Sequence, residues 1–492
     1  MGFLLAIDQG TTGTTALILD AKTLTILDKE KHDYPQIYPR PGWVEHNLED
    51  IWDSVTQSVT KIIKRQNIDV KKIQAIGITN QRETTCAYTK SGKPLHHAIV
   101  WQDRRTSAYC EQHKQEYEKT CRKKTGLPLD PYFSATKMRW LLDNVSAVKE
   151  AAEKKDLCLT TIDSYLLHRL SSGKSFATEV SNASRTMLMN LETSSWDSDL
   201  LTFFGLSKEF LPEIKESFGE FGKTQNCSFL PDDIPILSIL GDQQAALFGQ
   251  ACVNVGDLKC TYGTGAFLLL NTGNEIIHSQ TGLLTTAAYS FKGKKAYALE
   301  GSAYIAGAAV QWLRDNLKCI KLSSEVEGLA KEVTDLSQME HVLFLPFFTG
   351  IGTPYWNSHA KAAIVGLTRD THNGHIARAC LEGVALSVND SVASFKKDFS
   401  KLNDIRVDGG AASNNLLMQL QANFSNKKII RPSCIDTTAF GVAVGCLVAK
   451  GDVQISELGN YWKREKEFVP EENSYFAKKR DLWDSTIRRL YI

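Results

Sequence analysis

Two apolar runs open the chain, Phe3-Leu4-Leu5-Ala6-Ile7 and Ala16-Leu17-Ile18-Leu19, with Asp8-Gln9-Gly10-Thr11-Thr12-Gly13-Thr14-Thr15 between them. Short apolar runs bounded by glycine predict buried strands, so the N-terminus reads as strand, tight Gly/Thr turn, strand. The same layout returns at Lys259-Cys260-Thr261-Tyr262-Gly263-Thr264-Gly265-Ala266-Phe267-Leu268-Leu269-Leu270. A third element, Ile405-Arg406-Val407-Asp408-Gly409-Gly410-Ala411-Ala412-Ser413-Asn414-Asn415, reads as strand, Gly loop and helix start, with Asn414 or Asn415 as its cap. Elsewhere the rhythm is helical: Ile51, Val55, Val59 and Ile62 predict a helix over 48–63 capped by Asn47. Further strands are expected at 73–79, 84–88 and 98–101. Further helices are expected at 135–142, 164–170, 303–317, 375–395, 416–423 and 438–448.

The two hairpin turns carry a specific chemistry. Glycine lets backbone N–H groups converge and threonine hydroxyls add donors, so each turn is shaped to hold phosphate oxygens. Asp8 is a candidate cation ligand, because hard divalent ions prefer oxygen. Two such hairpins in separate halves, followed by a late strand–Gly–Gly–helix, resemble the actin/hexokinase/Hsp70 fold. That resemblance implies an α/β chain with two actin-like (ribonuclease H-like) domains and an ATP cleft between them. A chain of 492 residues is too long for one core. The switch is expected near 245–255, dividing the chain into 1–250 and 251–492.

Four polar clusters stand at expected strand ends or loop starts, where open α/β sheets place ligands: Arg82-Glu83, Trp101-Gln102-Asp103-Arg104, Asp130-Pro131-Tyr132 and Gly241-Asp242-Gln243-Gln244. A small polyol has almost no apolar surface and must be recognised hydroxyl by hydroxyl. Arg82 supplies donors, Glu83 and Asp242 supply acceptors, Tyr132 and Gln243 complete the set, and Trp101 and Phe267 wall the carbon chain. Asn80-Gln81-Arg82-Glu83-Thr84-Thr85, Pro41-Gly42-Trp43-Val44-Glu45-His46, Asp130-Pro131-Tyr132-Phe133-Ser134, Ser181-Asn182-Ala183-Ser184-Arg185-Thr186-Met187 and the stretch from Gly241 to Gln250 resemble the glycerol kinase branch of the FGGY carbohydrate kinases. The stretch from Ala362 to Glu382 also resembles a signature of that family, and the likeness runs from Leu5 to about Phe468. It implies ATP-dependent phosphorylation of glycerol to sn-glycerol 3-phosphate, with Asp242 as general base and domain closure over the ligands. It places Arg82, Glu83, Trp101, Tyr132, Asp242, Gln243 and Phe267 around glycerol. Thr11, Thr12, Gly13 and Thr264 fall at the ATP phosphates, Gly307, Gln311, Gly410 and Asn414 around the nucleotide, and Mg²⁺ near Asp8 and Asp242. Two alternatives stay open: a kinase for another polyol or ketose (dihydroxyacetone, xylulose, erythritol), and a non-catalytic nucleotide-binding protein.

Many bacterial members of that branch carry an Arg where this chain has Thr15, which supplies no positive charge. The stretch from Asn226 to Asp233 has neither Gly nor Arg and carries two acids, so control by a sugar bisphosphate there is not expected. No His lies between His168 and His278, so a His-phosphorylation switch is not expected either. A net charge of +1 gives no nucleic-acid footprint. Eleven widely spaced cysteines without a C-x-x-C pair suit reduced, buried thiols. His372 and His375, three apart, lack further ligands at metal spacing. No apolar run is long enough for a membrane span, and a cytoplasmic location is expected. Relatives in the resembled family imply a homodimer or homotetramer.

Overall fold

The computed structural model describes residues 2–492. The N-terminal half builds a six-stranded sheet from β1 (Phe3–Gln9), β2 (Gly13–Asp20), β3 (Ile26–Asp33), β4 (Ile73–Asn80), β5 (Phe218–Lys223) and β6 (Pro235–Gly241), in the order β5-β6-β4-β1-β2-β3. The C-terminal half builds a seven-stranded sheet from β7 (Leu258–Tyr262), β8 (Ala266–Gly273), β9 (Leu284–Phe291), β10 (Lys294–Ala303), β11 (Ile405–Asp408), β12 (Ile429–Pro432) and β13 (Arg464–Phe468), in the order β9-β10-β8-β7-β11-β12-β13. Both sheets repeat one motif. An antiparallel meander (β1-β2-β3, β7-β8-β10) continues through parallel neighbours on the other side of its first strand (β4 and β6, β11 and β12). This is the doubled actin-like topology. Each meander turn is one of the Gly/Thr hairpins, so both turns reach the same cleft.

The helices follow the apolar rhythm. Helix α1 (Leu48–Arg65) buries Ile51, Val55, Val59 and Ile62, and the Asn47 side chain accepts the Glu49 N–H at 3.0 Å. Helices α2 (Ser134–Asn144) and α3 (Asp242–Gly249) lie in the N-terminal half. Helices α4 (Gly307–Asp315), α5 (Asn373–Asp398), α6 (Asn415–Ser425) and α7 (Thr437–Lys450) lie in the C-terminal half. Asn414 caps α6, accepting the Leu417 N–H at 2.9 Å. The helix expected over 303–317 is a correction. Residues through Ala303 belong to β10, which pairs with both β8 and β9, and the helix starts at Gly307. Alanine favours helix, and the pairing of β10 with β8 and β9 overrode that local preference.

Two features lock the halves together. Helix α7 leaves its own half to pack on the N-terminal sheet, where Val442, Ala443 and Cys446 share a core with Leu4, Ala6, Leu17 and Leu240. It crosses α3 at backbone contact: a Cβ on Gly441 would lie 2.1 Å from the Ala245 carbonyl oxygen, and one on Gly249 would lie 2.0 Å from that of Thr437. Strands β9 and β10 reach the other way, with Thr286 on Ser184 at 2.8 Å and the Tyr297 hydroxyl donating to the Leu191 carbonyl at 3.0 Å. All eleven cysteines are free and most are buried. Among the described residues no helix is long and apolar enough to cross a membrane.

Candidate active site

The ends of β4 and β6 and the two hairpin turns converge on a cavity of about 570 Å³. All seven residues expected around a polyol line it: Arg82, Glu83, Trp101, Tyr132, Asp242, Gln243 and Phe267. Thr11, Thr12 and Thr264 line it too. The aromatic side is a box, with Trp101 edge-on to Tyr132 at 5.6 Å and to Phe267 at 6.3 Å between ring centroids. The Trp101 indole N–H donates to Thr11 Oγ1 at 3.0 Å, so the apolar wall and the first phosphate hairpin are joined. Tyr132 is held from behind by Lys137 on α2, which donates to the carbonyls of Pro131 at 2.6 Å and Tyr132 at 2.8 Å. Burial brings the Lys137 ammonium down to about 7.

The polar side is a buried ionic lattice that sequence reasoning only half found. Arg82 sits two residues past the end of β4, and Glu83 adopts a left-handed backbone with φ 60°. The Arg82 guanidinium donates from Nη1 to Glu300 Oε2 at 2.6 Å and from Nη2 to Glu300 Oε1 at 2.9 Å. Its Nη1 also donates to Gln244 Oε1 at 3.2 Å, and its Nε lies 3.2 Å from Asp242 Oδ1. Arg185 closes the lattice, donating to Glu83 at 2.6 Å and to Glu300 at 3.1 Å. Burial pushes the Glu300 carboxyl up, but the Arg185 and Arg82 guanidiniums outweigh it and hold the group near 2. Burial dominates at Glu83, which stays above the ordinary carboxylate value despite Arg185 and Arg82.

Asp242 is the first residue of α3, with its side chain 31% exposed to the cavity. It accepts the Gln243 backbone N–H at 2.7 Å and the Gln243 side-chain amide at 3.2 Å. The buried Lys259 ammonium donates to the other end of that amide at 2.5 Å, so Gln243 turns its NH₂ towards Asp242. Glu300, Arg185 and Lys259 were the residues missed. The signal for Glu300 was a lone carboxylate in the apolar run Ala296-Tyr297-Ala298-Leu299, and for Lys259 a lone cation opening the second hairpin.

A second cavity of about 410 Å³ lies between α4 and α6, lined by Thr264, Gly307, Gln311, Gly410 and Asn414. Gly263 and Thr264 line both cavities, which makes one continuous path. Gly307 opens α4 against the second hairpin. Its N–H donates to the Gly263 carbonyl at 2.9 Å, and a Cβ there would lie 2.6 Å from that oxygen. Gly13 and Asp8 line neither cavity. A Cβ on Gly13 would meet the backbone of His32 and Asp33 on β3, at 2.7 Å and 3.0 Å, so packing accounts for this glycine.

The half-buried Asp8 lies one residue before the end of β1, and burial raises its carboxyl to about 7, aided by Asp242 and Asp436 and opposed by Lys31. Asp8 itself makes no ion pair among the described residues, and a carboxyl left unpaired near that of Asp242 fits a divalent ion. Among the described residues no three His, Cys, Asp or Glu side chains cluster, so the protein would supply few ligands and leave most to phosphate and water, as suits Mg²⁺. His372 and His375 instead cap α5. A further cavity, of about 690 Å³, lies apart, between residues 23–29 and residues 432–437 and 460–463. It holds the Lys29–Asp436 ion pair at 2.8 Å and no phosphate hairpin, so the chemistry belongs to the other two.

Residues 3–249 match the N-terminal domain of the FGGY family of carbohydrate kinases, and residues 258–450 match its C-terminal domain. The chain belongs to the FGGY family of carbohydrate kinases. This FGGY kinase is 47% identical to a glycerol kinase of Bdellovibrio bacteriovorus over 99% of both chains. It is 46% identical to a glycerol kinase of Thermococcus onnurineus over 95% of this chain and 93% of the relative. Among solved structures, a Plasmodium falciparum glycerol kinase with ADP superposes with a TM-score of 0.91 at 34% identity, covering 100% of this chain and 99% of the other. A xylulose kinase from Lactobacillus acidophilus, at 22% identity, superposes with a TM-score of 0.88 over 100% of this chain and 98% of its own, and shares the fold.

Proposed function

We propose that this protein phosphorylates glycerol with ATP to give sn-glycerol 3-phosphate. The observation that carries this reading is the small polar box: Arg82, Glu83, Tyr132, Asp242 and Gln243 converge under an aromatic wall, one hydroxyl-binding group beside another, on the path between the two hairpins. Near-full-length identity to glycerol kinases supports glycerol over larger sugars. The adenosine end of ATP takes the cavity at Gln311, Gly410 and Asn414, and the phosphates run past Thr264 towards Thr11 and Thr12.

Asp242 accepts the proton of the attacking primary hydroxyl. In a loose phosphoryl-transfer transition state little charge builds on the nucleophile, so this carboxylate chiefly orients it. Gln243, itself held by Lys259, fixes its orientation from one side, and the Arg82 charge stands 3.2 Å away on the other. Thr11, Thr12 and Thr264 donate to phosphate oxygens, and alignment does most of the work. Mg²⁺, held by Asp8 and Asp242, would supply charge neutralisation at the β- and γ-phosphates. Closure of the two halves keeps water from the γ-phosphate.

The test is ATP turnover with Mg²⁺ across a panel of polyols and ketoses, wild type beside Asp242→Asn. The expected result is the highest kcat/KM on glycerol and a loss of about 10²–10⁴ in kcat for the variant. A better polyol or ketose than glycerol refutes the substrate, and a variant within about tenfold of wild type refutes the base.

A further inference from the structure

We propose that Glu300 is a positioning residue that sets which edge of Arg82 faces the substrate, and thereby makes the site select vicinal diols. The inference rests on the polyol kinase reading above and names a determinant of its specificity. A guanidinium has five N–H bonds arranged as an end-on fork, Nη1 with Nη2, and a side fork, Nε with Nη2. Glu300 takes the end-on fork with both oxygens, at 2.6 and 2.9 Å. Gln244 takes the second Nη1 hydrogen at 3.2 Å. Only the Nε–H and one Nη2–H remain, and these form the side fork. That fork faces the cavity, since Nε stands 3.2 Å from Asp242 Oδ1.

Two parallel donors on one rigid plane match two oxygens on adjacent carbons. They do not match hydroxyls separated by a methylene. The anchor comes from the other half of the molecule: Glu300 lies on β10 in the C-terminal sheet, whereas Arg82 follows β4 in the N-terminal sheet. Arg185 donates to the same Glu300 oxygen at 3.1 Å and fixes the carboxylate plane in turn. Remove the Glu300 charge and Asp242 becomes the nearest anion to Arg82. The guanidinium then turns its end-on fork to Asp242, so the polyol loses its donors.

Glu300→Gln keeps the shape and removes the charge. The steady-state constants for glycerol, propane-1,2-diol and propane-1,3-diol test the idea, with ATP varied separately. The expected result is a KM for glycerol raised at least about tenfold, a KM for ATP within about twofold, and a preference for vicinal diols over propane-1,3-diol reduced about tenfold. Glu300→Asp retains the charge one methylene back and should recover part of the vicinal preference. If Glu300→Gln yields no folded protein, the same constants measured on Glu300→Asp decide, with a raised KM for glycerol and an unmoved KM for ATP expected. Unchanged KM and selectivity, with any loss confined to thermal stability, would make Glu300 a structural ion-pair partner and overturn the proposal. Wild type inactive on every vicinal polyol removes the proposed function itself and this inference with it. Active wild type with unaltered variants overturns this inference alone.

Discussion

Gly441→Ala adds one methyl at the crossing of α3 and α7. The new Cβ would sit 2.1 Å from the Ala245 carbonyl oxygen, with ordinary contact beginning at 3.4 Å, so the helices must part by about 1.3 Å. Two stability effects oppose each other. Overpacking costs about 1–3 kcal/mol, and replacing glycine by alanine inside a helix returns about 1 kcal/mol. The net loss is therefore about 0–2 kcal/mol, which moves Tm by at most a few degrees. Catalysis should suffer more. Ala245 lies one turn from Asp242 and Gln243 at the head of α3, so the displacement passes to the groups that orient the nucleophile. A misplacement of this size costs about 10–100-fold in kcat/KM. The assay is coupled ATP turnover with glycerol beside a thermal melt. The control is Gly328→Ala, where an added Cβ meets nothing within 4 Å and both readouts should hold. A Gly441→Ala enzyme within about twofold of wild-type kcat/KM would refute the claim that this backbone contact sets the position of Asp242.

Two further expectations concern charge. Lys137 has its ammonium brought from 10.5 to about 7 by burial, so between pH 7 and 9 the unfolded chain binds a proton that the folded chain does not. Stability then rises with pH in wild type but not in Lys137→Met, and the difference between them should shift by about 2 kcal/mol in favour of wild type between pH 7 and 9. Urea melts at the two pH values check this, and a constant difference refutes it. Thr15 stands opposite Asp8 on β1 and opposite Lys31 on β3, so Lys31 already places a cation in the row where relatives carry Arg. Thr15→Arg should change kcat/KM for ATP by less than about threefold, and a tenfold gain would show that the charge is missing.

The hairpins were legible because their information is local. A glycine-and-threonine turn between two apolar runs has few other ways to fold, and Asn47 and Asn414 announce their helices by the N–H groups they cap. Arg82, Glu83, Tyr132 and Asp242 were legible as charged or polar groups at strand ends, where a sheet opens to solvent. Only the start of the helix expected over 303–317 was misread, because the helix preference of alanine is local and the pairing partners of β10, which holds the chain through Ala303, lie at β8 and β9.

By itself the sequence determined the doubled strand–turn–strand plan, the family chemistry and the residues able to touch phosphate or polyol. Only the tertiary structure decided which of them act together. Glu300 is 218 residues from Arg82, and Arg185 is 102 from Glu83, so no spacing rule joins them. They meet because tertiary packing brings Arg82, just past the interior strand β4 of one sheet, against Glu300 on the interior strand β10 of the other, and because a buried guanidinium must find a carboxylate. Neither requirement leaves a local mark on the chain.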